Sequence, residues 1–260
     1  MHPIDSPLAQ RSNVARKAIA YSLQGPRTAR RFTARPDDYR RAPPVIANSI
    51  PKSGTHLLLQ IARALPRARY YGSFLSWASS LDLRKRSERS IAFHLDRVVP
   101  GEALGAHLHY SEATSAKLET INALHLMIVR EYEEIIRSEA HYLKHMNRFH
   151  RMAREFRGLD APACIERVRK GSPSRPDLYP AFAERVRPYE GWRDDPRVLI
   201  VRYEDLANPA TRAPAVERIV HAWATRAEGS EALDLEAYTH QAVASIAPQR
   251  SHTYSNRRGG

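Results

Sequence analysis

Cysteine is nearly absent from this chain, and long apolar runs and acidic residues are scarce. The single cysteine, Cys164, cannot form an intrachain disulfide and offers no metal cluster, which suits a reducing cytoplasm. No uninterrupted apolar run approaches the length of a bilayer, and no continuous apolar core follows the first residues as in a secretory signal. Only 28 Asp and Glu face 41 Lys and Arg, so the formal net charge is +13. The sequence therefore predicts a soluble cytoplasmic protein with a polyanionic partner, which leaves nucleic acid, an anionic membrane and a phosphate- or sulfate-rich ligand open.

The chain divides into a basic arm and one domain. Residues 1–43 carry many arginines and few large apolar groups, and residues 14–23 are predicted to form one short amphipathic helix on an otherwise flexible tail. In residues 44–260, apolar strands alternate with amphipathic helices, which predicts a single three-layer α/β domain with a central parallel sheet. Segments 73–100 and 147–188 are rich in Arg, Ser and Pro and are predicted to be insertions beside the sheet. The strand candidates are residues 45–47, 103–108, 124–129 and 198–201.

The stretch PPVIANSIPKSGTHLLLQIARAL, residues 43–65, predicts a strand, a loop and a helix. Lys52, Ser53, Gly54 and Thr55 would surround the positive end of the helix with an ammonium group, hydroxyls and backbone N–H groups. The loop departs from the standard phosphate loop GxxxxGK[ST], because Lys52 precedes Gly54. The pattern nevertheless predicts an anion site at this loop.

A second cationic strand end follows in the stretch LHLMIVREYEEIIRSEAHYL. Arg130 ends the apolar run and Ser138 lies two turns into the following helix, so a guanidinium group and a hydroxyl could converge on one anion. An enzyme that uses nucleoside triphosphates would be expected to place a magnesium-binding carboxylate there instead. The structural alternative for Arg130 is an ion pair with Glu133 or Glu134 at the start of the helix.

These motifs resemble those of sulfotransferases that use 3′-phosphoadenosine 5′-phosphosulfate (PAPS). IPKSGTHLL resembles the family's 5′-phosphosulfate loop, and IVREYEEIIRSEAHY resembles its strand and helix for the 3′-phosphate. VLIVRYEDLANP resembles the family's downstream strand and turn, and SNRRGG resembles the start of its Arg-Lys-Gly loop. The resemblance implies a P-loop NTPase-like sulfotransferase fold. It also implies in-line transfer of a sulfuryl group to a hydroxyl or amine acceptor, with no metal and with adenosine 3′,5′-bisphosphate (PAP) as product.

The resemblance further implies roles for individual residues. The implied catalytic residues are Lys52, on the side of the leaving phosphate, together with His107 and Ser138. The family often stacks adenine on a tryptophan where this chain has His56 and Leu57. The resemblance separately implies an adenine contact for Tyr203, and the alternative for Tyr203 is a buried core tyrosine. The implied donor-binding residues are Pro51, Lys52, Ser53, Gly54, Thr55, His56, Arg130, Ser138, Tyr203, Arg257, Arg258 and Gly259.

A general base is needed to take the proton of the acceptor, and the ordinary pKa of histidine, about 6.5, suits this task. The stretch LGAHLHYSE offers His107 and His109. His107 directly follows the apolar strand and precedes Leu108, as the family's base precedes a leucine, so His107 is the predicted base. The corresponding expectation is a pH–rate profile that rises near the ordinary pKa of histidine.

The acceptor is the open question. The basic segments 73–100 and 147–188 favour an anionic or hydroxyl-rich acceptor, which includes small molecules, glycans and lipids. Trp77, Trp192 and Trp223 could line its pocket, although core packing is predicted for at least two of them. The basic arm is a candidate for peripheral membrane contact, a homo-oligomer stays open, and nucleic acid is not expected as a partner.

Two other classes of protein stay as alternatives. A P-loop-type small-molecule or nucleotide kinase would need magnesium ligands and a glycine-rich loop, which this sequence lacks. A basic nucleic-acid-binding module would explain the charge, but its basic residues should interleave with base-stacking aromatic residues. Neither alternative accounts for the second anion site.

Overall fold

In the part of the chain that the structure describes, five parallel strands form the central sheet, in the order β2-β3-β1-β4-β5. The structure, a computed structural model, describes residues 2–6, 13–79 and 82–247. The strands β1 and β4 are buried along their whole length, as expected for parallel strands covered by helices on both faces. The prediction of an α/β fold with a central parallel sheet is confirmed. The strands are β1 (Val45–Ser49), β2 (Phe74–Ser76), β3 (Ala103–His107), β4 (Leu124–Val129) and β5 (Val198–Arg202).

Helices connect these strands and cover the sheet. None of the helices in the described ranges combines the length and the hydropathy needed to cross a bilayer. Short turns of other helix types are Pro3–Asp5, Tyr142–Met146 and Gly191–Arg193. The α-helices are α1 (Asn13–Ser22), α2 (Gln24–Thr33), α3 (Pro36–Arg41), α4 (Thr55–Ala64), α5 (Glu88–Leu95), α6 (Glu112–Thr120), α7 (Tyr132–His141), α8 (Ala153–Phe156), α9 (Ala161–Lys170), α10 (Phe182–Glu190), α11 (Tyr203–Ala207), α12 (Pro209–Ala224) and α13 (Leu235–Ser245).

Two apolar cores lie on opposite faces of the sheet. Along β4, Leu126 belongs to one core and its neighbour Met127 to the other, because successive side chains of a strand point to opposite faces. Trp192 lies in the first core and Trp223 in the second, and neither is more than 1% exposed. Both tryptophans are therefore core residues, whereas Trp77 lines a cavity.

The register of the strands aligns their carboxyl ends at one edge of the sheet. Ser49 at the end of β1 lies opposite Ile128 of β4, and Ser76 at the end of β2 lies opposite His107 of β3. Open parallel sheets bind their ligands at this edge. The fold therefore brings the loop after β1, His107 and the residues after β4 to one place.

The amino-terminal region has more structure than predicted. Its described residues form the helices α1, α2 and α3, where the sequence predicted one short helix on a flexible tail. Polar contacts tie this region to the domain: the Tyr39 hydroxyl donates to the Val98 carbonyl at 2.9 Å, and Arg27 Nε donates to the Glu102 carboxylate at 2.8 Å. Glu102 is fully buried, and Arg27 offsets a charge that would be costly to bury alone.

The segment 73–100 is also more than an insertion. Its residues Phe74–Ser76 form β2, which pairs with β3 at the edge of the sheet. Three residues are too few to give a periodic pattern, and Phe74 is exposed, so the sequence did not reveal this strand. The segment 147–188 contains α8 and α9, and α9 packs against α7. The strand predicted at 103–108 ends one residue earlier, and that predicted at 198–201 ends one residue later.

Acid is expected to destabilise this fold through His125 of β4. His125 is buried against Trp192 with 4.3 Å between ring centroids, and neither of its ring nitrogens has a hydrogen-bond partner among the described residues. Burial lowers the pKa of His125 to about 3. Below pH ~6.5 the unfolded chain binds a proton here and the folded protein does not. The free energy of unfolding should therefore fall by up to about 1.4 kcal/mol per pH unit as the pH drops from about 6.5 towards 3.

Urea unfolding at neutral pH and near pH ~5 measures this dependence. His125→Leu is expected to be at least as stable as the wild type at neutral pH, since it removes two unpaired buried nitrogens, and to depend less steeply on pH. His221→Leu, which alters an exposed histidine paired with Glu217, is the matched control and should keep the wild-type slope. An unchanged slope in His125→Leu would contradict the prediction.

Candidate active site

The loop after β1 turns sharply at Lys52 and Gly54. Both residues have a positive φ, 73° and 115° respectively, which glycine adopts freely and lysine rarely does. A Cβ atom on Gly54 would lie 2.6 Å from Cδ2 of Tyr203, so only glycine fits beneath this ring. Helix α4 begins at Thr55, and the Gly54 carbonyl accepts from the backbone N–H groups of Leu57 and Leu58, so the positive end of the helix dipole lies at this loop. Such a helix start is suited to bind an anion.

The Ser53 hydroxyl, which the sequence assigned to the anion site, binds backbone carbonyl groups instead. It donates to the carbonyl oxygens of Ile50 at 2.7 Å and Ile128 at 3.2 Å, and the backbone N–H of Ser53 also donates to Ile50. Ser53 is fully buried and holds the loop against β4, so its donors are not directed at an anion. Thr55 is the loop hydroxyl that lines the cavity, and it is hydrogen-bonded to the Ser49 hydroxyl.

Lys52 directs its ammonium group onto an aromatic ring. Its Nζ atom lies 4.0 Å from the ring centroid of Tyr142, a cation–π contact that holds the side chain. Burial lowers the pKa of Lys52 to about 8, with Glu139 opposing this shift and Arg130 adding to it. Lys52 is therefore a cation at neutral pH that becomes neutral in mild alkali.

Arg130 lies between the loop and Tyr203. Its Nη1 atom donates to the Lys52 carbonyl at 3.4 Å, and its guanidinium carbon lies 4.1 Å from the centroid of the Tyr203 ring. Its Nη2 atom lies 3.3 Å from the Glu134 carboxylate, so the ion pair that the sequence offered as the structural alternative does form. The Nε atom of Arg130 is buried and has no hydrogen-bond partner among the described residues. The ion pair thus leaves part of the guanidinium without an acceptor.

His107 ends β3 with one ring nitrogen anchored. Its Nδ1 atom lies 2.9 Å from the Ser49 carbonyl oxygen and 3.0 Å from the Ser49 hydroxyl. A carbonyl oxygen can only accept, so Nδ1 carries the proton and Nε2 keeps a lone pair. Burial is the main cause that lowers the pKa of His107 to about 4, and the nearby charge of Lys52 acts in the same direction. The ring is therefore neutral at physiological pH, and its pKa lies below the ordinary value expected from the sequence.

Asn48 fixes the backbone around this histidine. Its Oδ1 atom accepts from the N–H groups of Leu108 at 2.8 Å and Ser49 at 2.9 Å, and its Nδ2 atom donates to the Leu108 carbonyl at 3.2 Å. Asn48 is fully buried, so these bonds are shielded from water. They hold the end of β3, and with it His107, against the end of β1.

His109 has a different environment from that of His107. Its ring stacks on Trp77 with 5.0 Å between centroids, and it meets Tyr189 edge to face at 4.8 Å. Burial lowers the pKa of His109 to about 4, and the charge of Lys85 contributes. These contacts make His109 part of an aromatic wall.

A cavity of 660 Å³ joins these groups at the carboxyl edge of the sheet. Ser53 is missing from its lining, and the predicted donor residues Arg257, Arg258 and Gly259 lie outside the described residues. The other predicted residues all line it: Pro51, Lys52, Gly54, Thr55, His56, His107, Arg130, Ser138 and Tyr203.

Sequence reasoning missed several residues of this cavity. Tyr142 lies under Lys52, and Glu139, beside Ser138, accepts from the Tyr179 hydroxyl at 2.9 Å and from Arg185 at 2.7 Å. Glu139 follows Ser138 on α7, and Tyr142 lies one helical turn after Ser138, directly after the end of that helix. The helical spacing from Ser138 could therefore have identified both residues as neighbours of the site. Tyr179 and Arg185 are distant in sequence and carry no such signal.

A parallel sheet with a helix start after β1, a lysine and an arginine beside it, and a neutral histidine at the end of β3 is an arrangement suited to an enzyme that transfers a group from an anionic donor. The sequence model of the sulfotransferase domain matches residues 42–220. The chain therefore belongs to the sulfotransferase domain family, and the prediction of a sulfotransferase enzyme is confirmed.

The fold has a counterpart among solved structures. The crystal structure of mouse sulfotransferase SULT7A1 complexed with PAP is 21% identical, with a TM-score of 0.52. The alignment covers 84% of this chain and 67% of the mouse chain. At this identity the likeness concerns the fold, and it agrees with the predicted P-loop-like sulfotransferase architecture. No curated protein sequence matches the chain.

Proposed function

We propose that this sulfotransferase moves a sulfuryl group from PAPS to a hydroxyl group of an acceptor, with His107 as the general base and Lys52 on the side of the leaving phosphate. The observation that carries the proposal is the anchored His107 ring. Ser49 holds its Nδ1 atom, which leaves the lone pair on Nε2, and His107 lines the same cavity as Lys52. A base and a cation then act at opposite ends of one in-line transfer.

The residues at the loop and at Arg130 fit an anionic donor. Gly54 lets the chain pass close beneath Tyr203, and the start of α4 supplies backbone N–H groups for the 5′-phosphate. The buried Nε atom of Arg130, without a partner among the described residues, fits a bound anion such as the 3′-phosphate. The mouse neighbour carries PAP, which is consistent with this donor.

Lys52 and His107 would have separate tasks. The ammonium group of Lys52 would neutralise the charge that develops on the bridging oxygen as the sulfur–oxygen bond breaks. His107 Nε2 would take the hydroxyl proton as the acceptor oxygen bonds to sulfur, which gives a sulfate ester, PAP and an imidazolium. Ser138, which lines the same cavity, would donate its hydroxyl to the donor from α7.

The acceptor would lie against the aromatic wall beside His107. Phe74 meets the His107 ring edge to face at 4.9 Å, and Trp77, His109 and Tyr189 continue the wall. This lining favours an acceptor with an apolar, flat body that carries the reacting hydroxyl at one end.

Ligand binding and product detection test the proposal together. PAP without metal is expected to raise the melting temperature, while ATP with Mg²⁺ is expected to leave it nearly unchanged. Incubation with PAPS and a panel of aromatic and aliphatic alcohols, in the presence of a chelator, should give a product whose mass has increased by one sulfuryl group. Stabilisation by ATP with Mg²⁺ and not by PAP would favour the kinase alternative and overturn the proposal.

Arg130→Ala is expected to weaken PAP by roughly tenfold to a hundredfold, because a charge-assisted contact to the 3′-phosphate is lost. Adenosine 5′-monophosphate, which lacks that phosphate, should lose little affinity in the same variant. Isothermal calorimetry with both ligands measures the difference. Arg137→Ala is the matched control, since Arg137 binds the same Glu134 at 2.7 Å but does not line the cavity. Equal weakening of both ligands by Arg130→Ala would remove Arg130 from the 3′-phosphate site.

A further inference from the structure

Apart from the catalytic cavity, a distinctive surface lies at the opposite edge of the sheet, the amino edge, where the strands begin. Arg27 of α2 binds Glu102, which immediately precedes β3, and Arg97 follows α5 on the way to the same strand start. The cavity lies at the carboxyl ends of the strands. A partner bound at the amino edge would therefore leave the cavity accessible.

Helix α2, which contributes to this surface, lies in a strongly basic stretch of the sequence. Residues 6–36 contain no Asp or Glu and seven Lys or Arg. Arg27 and Arg31 lie one turn apart on α2, and the charges of both act on Arg97. The charge of Asp96 also acts on Arg97, but Asp96 forms its ion pair with Lys117. Neither Arg31 nor Arg97 forms an ion pair with a carboxylate in the part of the chain that the structure describes. The positive charge here is therefore available to an external anion.

Two exposed phenylalanines accompany these arginines. Phe32, next to Arg31 at the end of α2, is 81% exposed, and Phe93 of α5 is 52% exposed. The guanidinium carbon of Arg97 lies 3.1 Å from the centroid of the Phe93 ring. Large apolar rings set among arginines on a helical surface are the combination that interfacial helices use. We name Arg31, Phe32, Phe93 and Arg97 the basic-aromatic surface.

We propose that the basic-aromatic surface docks this protein onto an anionic lipid bilayer. The arginines bind lipid phosphates and carboxylates, and the phenyl rings enter the boundary between head groups and acyl chains. A nucleic acid would pair with the arginines, but it is read by aromatic residues on sheets or in grooves, whereas these rings project from helices. The charges complement the head groups of an anionic bilayer. The exposed rings favour a bilayer over a soluble anion, because a soluble anion has no apolar region for them to enter.

Co-sedimentation of the full chain with vesicles tests this proposal. The wild type is expected to bind vesicles of equal parts phosphatidylcholine and phosphatidylserine, and to bind them less at high salt. It should not bind vesicles of phosphatidylcholine alone. The double variant Arg31→Glu with Arg97→Glu should lower binding at least about tenfold, since each lost arginine is worth roughly fivefold. Phe32→Ser should lower it by roughly tenfold, through the apolar area that no longer enters the bilayer.

Two control variants test whether vesicle binding depends on the basic-aromatic surface itself. Arg218→Glu changes an exposed charge on α12, and Phe149→Ser removes a ring that is 68% exposed, so both should bind vesicles like the wild type. All variants should keep the wild-type circular dichroism and melting temperature. Several results would overturn the proposal: no wild-type binding to the mixed vesicles, equal binding to neutral vesicles, or unaffected binding in the double variant and in Phe32→Ser. Binding of oligothymidylate that is lost in the double variant while vesicles still bind equally would assign the surface to nucleic acid.

Discussion

His107→Ala is expected to lower kcat by about a thousandfold, which lies within the range for loss of a general base. PAP affinity should change little, because the His107 ring would act on the acceptor hydroxyl and only in the transition state. The anchoring of Nδ1 by the Ser49 carbonyl gives the physical reason, since the ring is held in one tautomer with Nε2 ready to accept a proton. Steady-state kinetics at saturating PAPS, with calorimetric titration of PAP, measures both quantities.

His109→Ala is the matched control for His107→Ala. His109 stacks on Trp77 and lines the same cavity, so its loss should raise the acceptor KM and change kcat by less than about tenfold. An inactive His109→Ala enzyme beside an active His107→Ala enzyme would transfer the role of base to His109. The proposal of sulfuryl transfer would survive that result.

The pH dependence of kcat/KM gives a second signature of the same residues. His107 must be neutral to act, and burial lowers its pKa to about 4, so the acid limb should lie near that pH instead of near 6.5. Lys52 must be protonated to act, and its pKa is about 8, so activity should fall above that pH. Return of each sample to neutral pH, followed by a second assay, separates titration from unfolding.

Lys52→Ala is expected to lower kcat by about a hundredfold to a thousandfold, as for loss of a group that stabilises developing charge. PAP affinity should fall much less, because the ammonium group matters most while the bond to the leaving phosphate breaks. The variant should also lose the alkaline limb of the pH profile. Single-turnover measurement at saturating PAPS reports the chemical step directly.

Lys85→Ala serves as the control for Lys52→Ala. Lys85 is an exposed lysine that also lines the cavity, but it lies near His109 of the aromatic wall. Its loss should leave kcat within about threefold of the wild type and keep the alkaline limb. Nearly normal turnover in Lys52→Ala would exclude Lys52 from the leaving-group role.

The sheet and the two cationic strand ends could be predicted because each depends on residues that are neighbours in sequence. An apolar run predicts a buried strand, and a glycine followed by helical spacing predicts a loop at the start of a helix. Neither prediction depends on which segments pack against these residues. The short strand Phe74–Ser76 escaped this reasoning, since three residues do not make a pattern. The helices within residues 13–41 escaped it too, because contacts such as that of Tyr39 with Val98 hold them to the domain.

The sequence alone therefore established the α/β class, the loop at Lys52 and Gly54, and the pair of candidate bases at the end of β3. The tertiary structure decided how these residues behave chemically. Ser49, 58 positions from His107, sets the tautomer of that ring, and burial lowers its pKa to about 4. Tautomers and pKa values depend on hydrogen-bond partners and on the exclusion of water, and both are supplied by segments that meet only when the chain folds.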